Sequence, residues 1–195
     1  MRQEQLRKGR LDGGGDVRQR LLQKADSLFY QLGIHIVGIE RLIGEAGVAK
    51  ASLYSHFPSK DALVAAYLER QHGRVRDRIE AVTHDPDLSP RDRILRLFDV
   101  HAAWIEEAGF RGCPFVNGAV ELSAPDHPAL VVIARHRTWL HETLATLVRE
   151  AALPAPQLLA GALTVLLDGA AAAALVDGDP GAAADARWAA ARLLA

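Results

Sequence analysis

At 195 residues and 49% hydrophobic content, the chain carries enough apolar matter for one sizeable core, or for a small module joined to a larger one, which excludes a disordered chain. The formal net charge of −1 hides an asymmetry: residues 1–85 hold 14 Lys+Arg against 11 Asp+Glu, and residues 86–195 hold 9 against 13, so the two halves suit different partners. A single cysteine, Cys113, excludes an internal disulfide, fits a reducing cytoplasm, and reads more simply as a small core residue than as a catalytic thiol.

Helical periodicity runs along the chain and no strand is predicted, so the expected fold class is all-α. Residues 1–15 read as a flexible basic tail, because the Gly13-Gly14-Gly15 run is a poor helix former. Charges stand where a signal peptide would carry its apolar run, which points away from secretion. Asp16 can cap a first helix whose Leu21, Leu22, Ala25, Leu28, Phe29 and Leu32 form an apolar stripe, and Gly33 stops it. A short helix over Ile39–Ala46, a tight turn at Gly47 and a second short helix over Ala49–His56 follow. Pro58 then opens a long helix reaching residue 82, with Ser59 as a candidate cap.

Two short helices joined by a glycine-containing turn make a helix-turn-helix. Ala46, Val48, Leu53 and Phe57 have the spacing to pack the pair on the first helix, leaving Lys50, Ala51, Ser52, Tyr54 and Ser55 outward on a short helix. Small and polar side chains on such a helix let it approach base edges in a major groove. Tyr54, His56 and Lys60 carry donors suited to phosphate oxygens. Arg7, Lys8 and Arg10 could add contacts from the tail. An ordinary solvated helical hairpin explains the same face equally well on the residues alone.

The stretch GIHIVGIERLIGEAGVAKASLYSHFPSKDAL, residues 33–63, resembles the DNA-binding module of the TetR (tetracycline-repressor) family of bacterial regulators. The matching positions are Gly33, Ile39, Leu42, Ala46-Gly47-Val48, Leu53-Tyr54, His56-Phe57, Pro58-Ser59-Lys60 and Ala62-Leu63. The resemblance covers about residues 16–65, and FRGCPFVNGAVEL, residues 110–122, is similar to the ligand-domain sequence of many members. It implies base reading by Lys50, Ala51 and Ser52, a base or phosphate contact by Tyr54, and phosphate contacts by His56 and Lys60. It also implies a homodimer paired through the last two helices. Gly38 and Ala49 stand where capping Ser or Thr is frequent in the family, and Ile43 where Ala is usual, so helix orientation and operator sequence are less predictable.

After the break HDPDLSP, residues 84–90, five further helices are predicted: 91–108, 114–123, 129–152, 157–176 and a last one to the C-terminus, about nine in all. The division expected is a helix-turn-helix domain at 16–65 and a ligand-binding and dimerisation domain at 66–195, linked through helix 58–82. Large and polar side chains on otherwise core-like helices are candidates for a small-molecule cavity: Phe98, His101, Trp104, Phe115, Asn117, Glu121, Arg135, His136, Trp139 and Asp168. Asp168 interrupts a helix apolar on every side and must find a partner or a ligand. That helix must be buried on both sides, which makes Leu159, Leu163, Leu166, Leu167 and Ala170, with Trp188 of the last helix, the candidate dimer interface.

The segment Leu158–Val176 approaches the length of a membrane span, but a mid-segment charge and alanine-rich composition argue for a buried helix of a cytoplasmic protein. No nucleophile elbow, Walker loop or paired metal motif is present, and His136 and His141 lie off the i, i+4 spacing of helical ligands, so no catalytic residue, cofactor or metal is implied. The expectation is a ligand-responsive DNA-binding repressor whose partners are operator DNA, a second copy of itself and a mostly apolar effector. The rival is an all-α binding protein or enzyme that keeps the helix-turn-helix scaffold without operator recognition.

Overall fold

The computed structural model describes residues 2–195, with side chains from Val17 onward. Among these residues there are nine α-helices and no strand: α1 (Arg2–Leu32), α2 (Ile39–Ala46), α3 (Lys50–His56), α4 (Lys60–Thr83), α5 (Pro90–Ile105), α6 (Pro114–Glu121), α7 (Pro128–Glu150), α8 (Pro156–Asp177) and α9 (Gly181–Leu193). The bounds of α1 run through Gly13–Gly15, where the sequence predicts a tail and an Asp16 cap. Glycine costs a helix interior only about 1 kcal/mol per residue, far less than proline, so the run weakens the helix without forbidding it. The side chains of the expected DNA-contacting arm, Arg7, Lys8 and Arg10, lie outside the described ones.

Helix ends follow local chemistry. Gly47 adopts φ 63°, a left-handed conformation that closes α2 by sending the Gly47 and Val48 N–H groups back to Gly44 and Ile43 carbonyls. Ser59 caps α4 by accepting from Ala62 N at 3.1 Å, and Ser89 caps α5 by accepting from Asp92 N at 3.2 Å ahead of Pro90. Gly38 and Ala49 contribute no side-chain cap to α2 and α3. The short α3 is held by Leu53, fully buried against α1.

Two apolar clusters build the interior. One joins Leu21, Ala25, Leu28 and Phe29 of α1 to Leu42, Ala46, Leu53, Phe57, Leu63 and Tyr67, and extends to Phe115 of α6 and to Ala129, Val132 and Ile133 of α7. The other joins Ile94, Leu97 and Phe98 of α5 to Leu140, Leu144 and Val148 of α7, to Leu163, Leu167 and Ala170 of α8, and to Ala186 and Ala190 of α9. α4 runs past both, from Leu63 to Ile79. By length and composition α8 could cross a membrane, with a mean hydropathy of 1.9, yet α5, α7 and α9 pack along it.

Candidate functional site

Packing of α2 and α3 on α1 turns Ala46, Leu53 and Phe57 inward, as the spacing predicts, and leaves Lys50, Ala51, Tyr54 and Ser55 exposed on one face of α3. Ser52 and His56 are half-buried on its flank. Three of these polar groups already have partners. Lys50 Nζ lies 2.5 Å from Glu40 Oε1 on α2, and that carboxylate raises the ammonium's pKa. Ser55 Oγ donates to Ser52 O of its own helix at 2.8 Å. Lys60 Nζ donates to the Ile34 carbonyl at 2.6 Å, and burial lowers its pKa. Sequence reasoning missed Glu40, although its place on the adjoining helix of a helix-turn-helix is a usable signal.

The second site is a cavity of about 420 Å³ bounded by α1, α4, α5, α6, α7 and α8. Of the ten residues expected to line it, His101, Trp104, Phe115, His136 and Asp168 do. The other five do not, each for a packing reason. Phe98 is sealed in the core of the C-terminal helices. Asn117 donates to Arg111 O at 2.8 Å, bracing the loop ahead of α6. Glu121 accepts from His35 N at 2.9 Å, so it holds the α1–α2 turn instead. Arg135 is exposed and paired with Glu69 of α4. Trp139 packs edge-on to the His72 ring behind the wall, centroids 5.3 Å apart.

The missed wall comes from the N-terminal half: Gln23, Asp26, Ser27 and Tyr30 of α1, with Gln71, Arg74, Val75, Arg78 and Ile79 of α4. Gln23, Asp26, Ser27 and Tyr30 follow i, i+3, i+4 spacing on the side of α1 away from Leu21 and Leu28, a polar stripe that reads as solvent-facing in sequence. Asp26 is buried between Arg70 Nε at 2.9 Å and Arg74 Nη2 at 2.8 Å; burial raises its pKa while both guanidiniums pull it down. Asp168 finds its partner in Arg137, at 2.8 Å.

Two histidines of the cavity wall, His101 and His136, are held neutral near pH 7. Burial pushes His101 down to about 4, and burial with neighbouring His72 and Arg137 pushes His136 down to about 3. His136 stacks on Phe115 with centroids 3.6 Å apart, and its Nδ1 meets His72 Nδ1 at 3.1 Å. Cys113 lines the same cavity, and burial raises its thiol pKa, which disfavours the thiolate a nucleophile needs.

A line of hydrogen bonds ties this cavity to the helix-turn-helix. Tyr30 Oη donates to Gly112 O at 3.0 Å and accepts from Arg111 N at 2.9 Å, and Gln31 Nε2 donates to Gly109 O at 2.9 Å. With the Glu121 bond to His35, the end of α1 and the start of the α1–α2 turn are fastened to the α5–α6 connection and α6.

Residues 21–67 match the family described as bacterial regulatory proteins, tetR family, and residues 90–190 match the tetracyclin repressor-like C-terminal domain. The chain belongs to the TetR family of transcriptional regulators. A solved TetR-family regulator of Streptomyces coelicolor is 31% identical, superposes with a TM-score of 0.87, and shares 92% of this chain and 95% of its own. Among curated relatives, the HTH-type transcriptional repressor DhaR of a Mycobacterium species is 32% identical over 55% of this TetR-family chain and 52% of its own length. The repressor NemR of Escherichia coli is 34% identical over 43% and 42%. The chain thus matches about half or less of the length of these two curated relatives. The reduced form of NemR superposes with a TM-score of 0.83 at 23% identity, a likeness of fold.

The apolar circumference of α8 divides between two environments. Leu163, Leu167 and Ala170, expected at a dimer interface, are buried within the protomer's own core, and Leu159 and Leu166 are half-buried against it. The stripe left open is Leu158 at 77% exposure, Val165 at 67% and Val176 at 81%, beside Trp188 of α9 at 63%. Packing against α5, α7 and α9 claims one side of the helix, so only the opposite side can meet a partner.

Proposed function

We propose that the protein is a cytoplasmic transcriptional repressor that binds a palindromic operator as a homodimer and releases it when a mostly apolar small molecule fills the cavity. The observation that carries the reading is the double use of α1. One side of it holds the helix-turn-helix core through Leu21, Ala25 and Leu28, and another lines the cavity with Asp26, Ser27 and Tyr30. DhaR and NemR are repressors by name, which supports repression over activation.

Residues 16–65 form the DNA-binding domain and 66–195 the ligand-binding and dimerisation domain, with α4 as the link. In the complex Lys50, Ala51 and Ser52 face base edges, Tyr54 a base or phosphate, Ser55 the groove wall, and His56 and Lys60 the phosphates. An ammonium has three donors, so the Ile34 tie leaves Lys60 two for a phosphate. The open stripe of α8 and Trp188 meet their copies across a two-fold axis, placing recognition helices about 34–36 Å apart on DNA. A ligand wedged against α5 and α6 moves the Tyr30 and Glu121 ties and turns α1–α3 relative to the dimer axis. A shift from 1:99 to 99:1 between bound and released states takes about 5.5 kcal/mol of differential affinity.

The test is a mobility-shift titration on duplexes from the region upstream of the chain's own gene, with and without apolar metabolites that raise its melting temperature. Trp104→Ala serves as the cavity control. Release by such a compound, blunted in the variant, is expected; compounds that stabilise the protein and leave DNA affinity unchanged contradict the switch.

A further inference from the structure

We propose that the cavity takes an uncharged, mostly apolar molecule carrying a hydroxyl group, whose O–H donates to His101 Nδ1. This rests on the reading above that the cavity is the effector site, and narrows its ligand to a chemical class.

Charge balance disfavours an ionised ligand. Six charged side chains line the cavity, and they pair off among themselves: Asp26 with Arg74 at 2.8 Å, Arg78 with Glu107 at 3.1 Å, and Arg137 with Asp168 at 2.8 Å. Each lining charge thus already has a counter-ion, Asp26 taking Arg70 from behind the wall at 2.9 Å as well, so no lining group stands unpaired for an incoming carboxylate or ammonium. Such a ligand would lose its hydration and meet a wall already neutralised, a cost that paired groups do not offset. The two histidines add no charge near pH 7, since burial holds both below their ordinary value. The apolar part of the wall, from Val75 and Ile79 across to Leu97, Leu140 and Leu167, suits rings or alkyl chains, and Gln23, Ser27 and Gln71 add only uncharged polar groups.

His101 supplies the polar contact. His101 Nε2 lies 3.0 Å from the Leu167 carbonyl, an oxygen that can only accept, so Nε2 carries the proton. The neutral ring then presents Nδ1 as an acceptor, with no protein donor recorded on it among the described residues. Trp104 leans on the ring with centroids 5.2 Å apart, limiting its freedom to turn away. Tyr30 cannot fill the role, because its hydroxyl already gives to Gly112 O and takes from Arg111 N. An unsatisfied acceptor on a ring that lines the cavity favours a ligand donor, and a hydroxyl supplies one without charge.

The test measures binding of 4-hydroxybiphenyl, 4-methoxybiphenyl and biphenyl-4-carboxylate to the full chain by calorimetry and by quenching of tryptophan fluorescence. The phenol should bind about 2–10-fold more tightly than its methyl ether, the worth of one neutral hydrogen bond. The carboxylate should be weaker than the phenol by about tenfold or more. His101→Phe should erase the preference of phenol over ether. Asp168→Asn, which leaves Arg137 without its counter-ion, should raise the affinity of the carboxylate relative to the phenol. Equal binding of phenol and ether to the wild-type chain, or a carboxylate that binds most tightly, overturns the assigned class and leaves the cavity standing as an effector site. Failure of every probe to bind overturns both. The wild-type series decides the matter even if His101→Phe does not fold.

Discussion

Glu40 and Lys50 show how one carboxylate can set the behaviour of a cation on the exposed face of α3. Their 2.5 Å contact is exposed, so it adds little stability, and the proposed docking of α3 on DNA would exchange it for a DNA contact. Glu40→Gln should therefore strengthen binding to all duplexes and steepen the dependence of affinity on salt by up to about one unit, while Lys50→Ala should relax base preference. Fluorescence anisotropy at several salt concentrations checks both, and an unchanged slope in Glu40→Gln would mean Lys50 never leaves its partner. Lys60→Ala should weaken binding to all sequences, lower the slope by about one unit, and cost about 1–3 kcal/mol of stability through the orphaned Ile34 carbonyl. His101 and His136 give a pH dependence of known sign. Both fold with pKa values depressed below 6.5, to about 4 for His101 and about 3 for His136, so the unfolded chain takes up protons first. Their contribution to stability is then full above about pH 6.5 and is lost as pH drops toward 4 and 3. His136→Phe, which keeps a ring stacked on Phe115, should flatten that fall in urea titrations, and an unaltered pH profile would contradict the assignment.

At the level of elements, the proposed switch runs through the α1 ties to the α5–α6 connection. Tyr30→Phe removes the hydroxyl that bridges Gly112 O and Arg111 N, and should cost about 1–3 kcal/mol by thermal or urea unfolding. It should also blunt ligand-driven release while leaving operator affinity near wild type. Full release in the variant would place the coupling elsewhere. These ties were not legible in the sequence, because Tyr30 and Gly112 are 82 residues apart and a polar stripe on a helix looks the same whether it meets solvent or a neighbour. The helices themselves were legible, since apolar spacing, Pro at helix starts and Gly47 in the turn are local signals. The α3 face was legible for the same reason. The cavity was half legible: aromatic and polar residues on core-like helices marked α5, α6, α7 and α8, but not which residues a neighbouring helix would seal, as it does Phe98, or capture, as it does Glu121. The faces of α8 were the hardest, for a helix apolar all round carries no sign of which side its own protomer takes.

For the whole molecule, those faces decide assembly. Val165→Arg puts a charge on the open stripe and should yield a folded monomer that binds an operator half-site weakly, as read by sedimentation velocity. Leu163→Ala, inside the protomer core, should instead cost about 2–5 kcal/mol of stability and leave the dimer intact where the protein still folds. A wild-type chain sedimenting as a monomer at micromolar concentration would remove the proposed interface. Above assembly stands the claim that this arrangement reads DNA sequence. It is tested most directly by selecting binders from a random duplex library with the full chain, then comparing the enriched duplex with a scrambled one by anisotropy. The account predicts an inverted repeat bound by one dimer, at least about 10³-fold more tightly than the scrambled duplex at physiological salt; a library that yields no enriched sequence, or equal affinity for both duplexes, would contradict it.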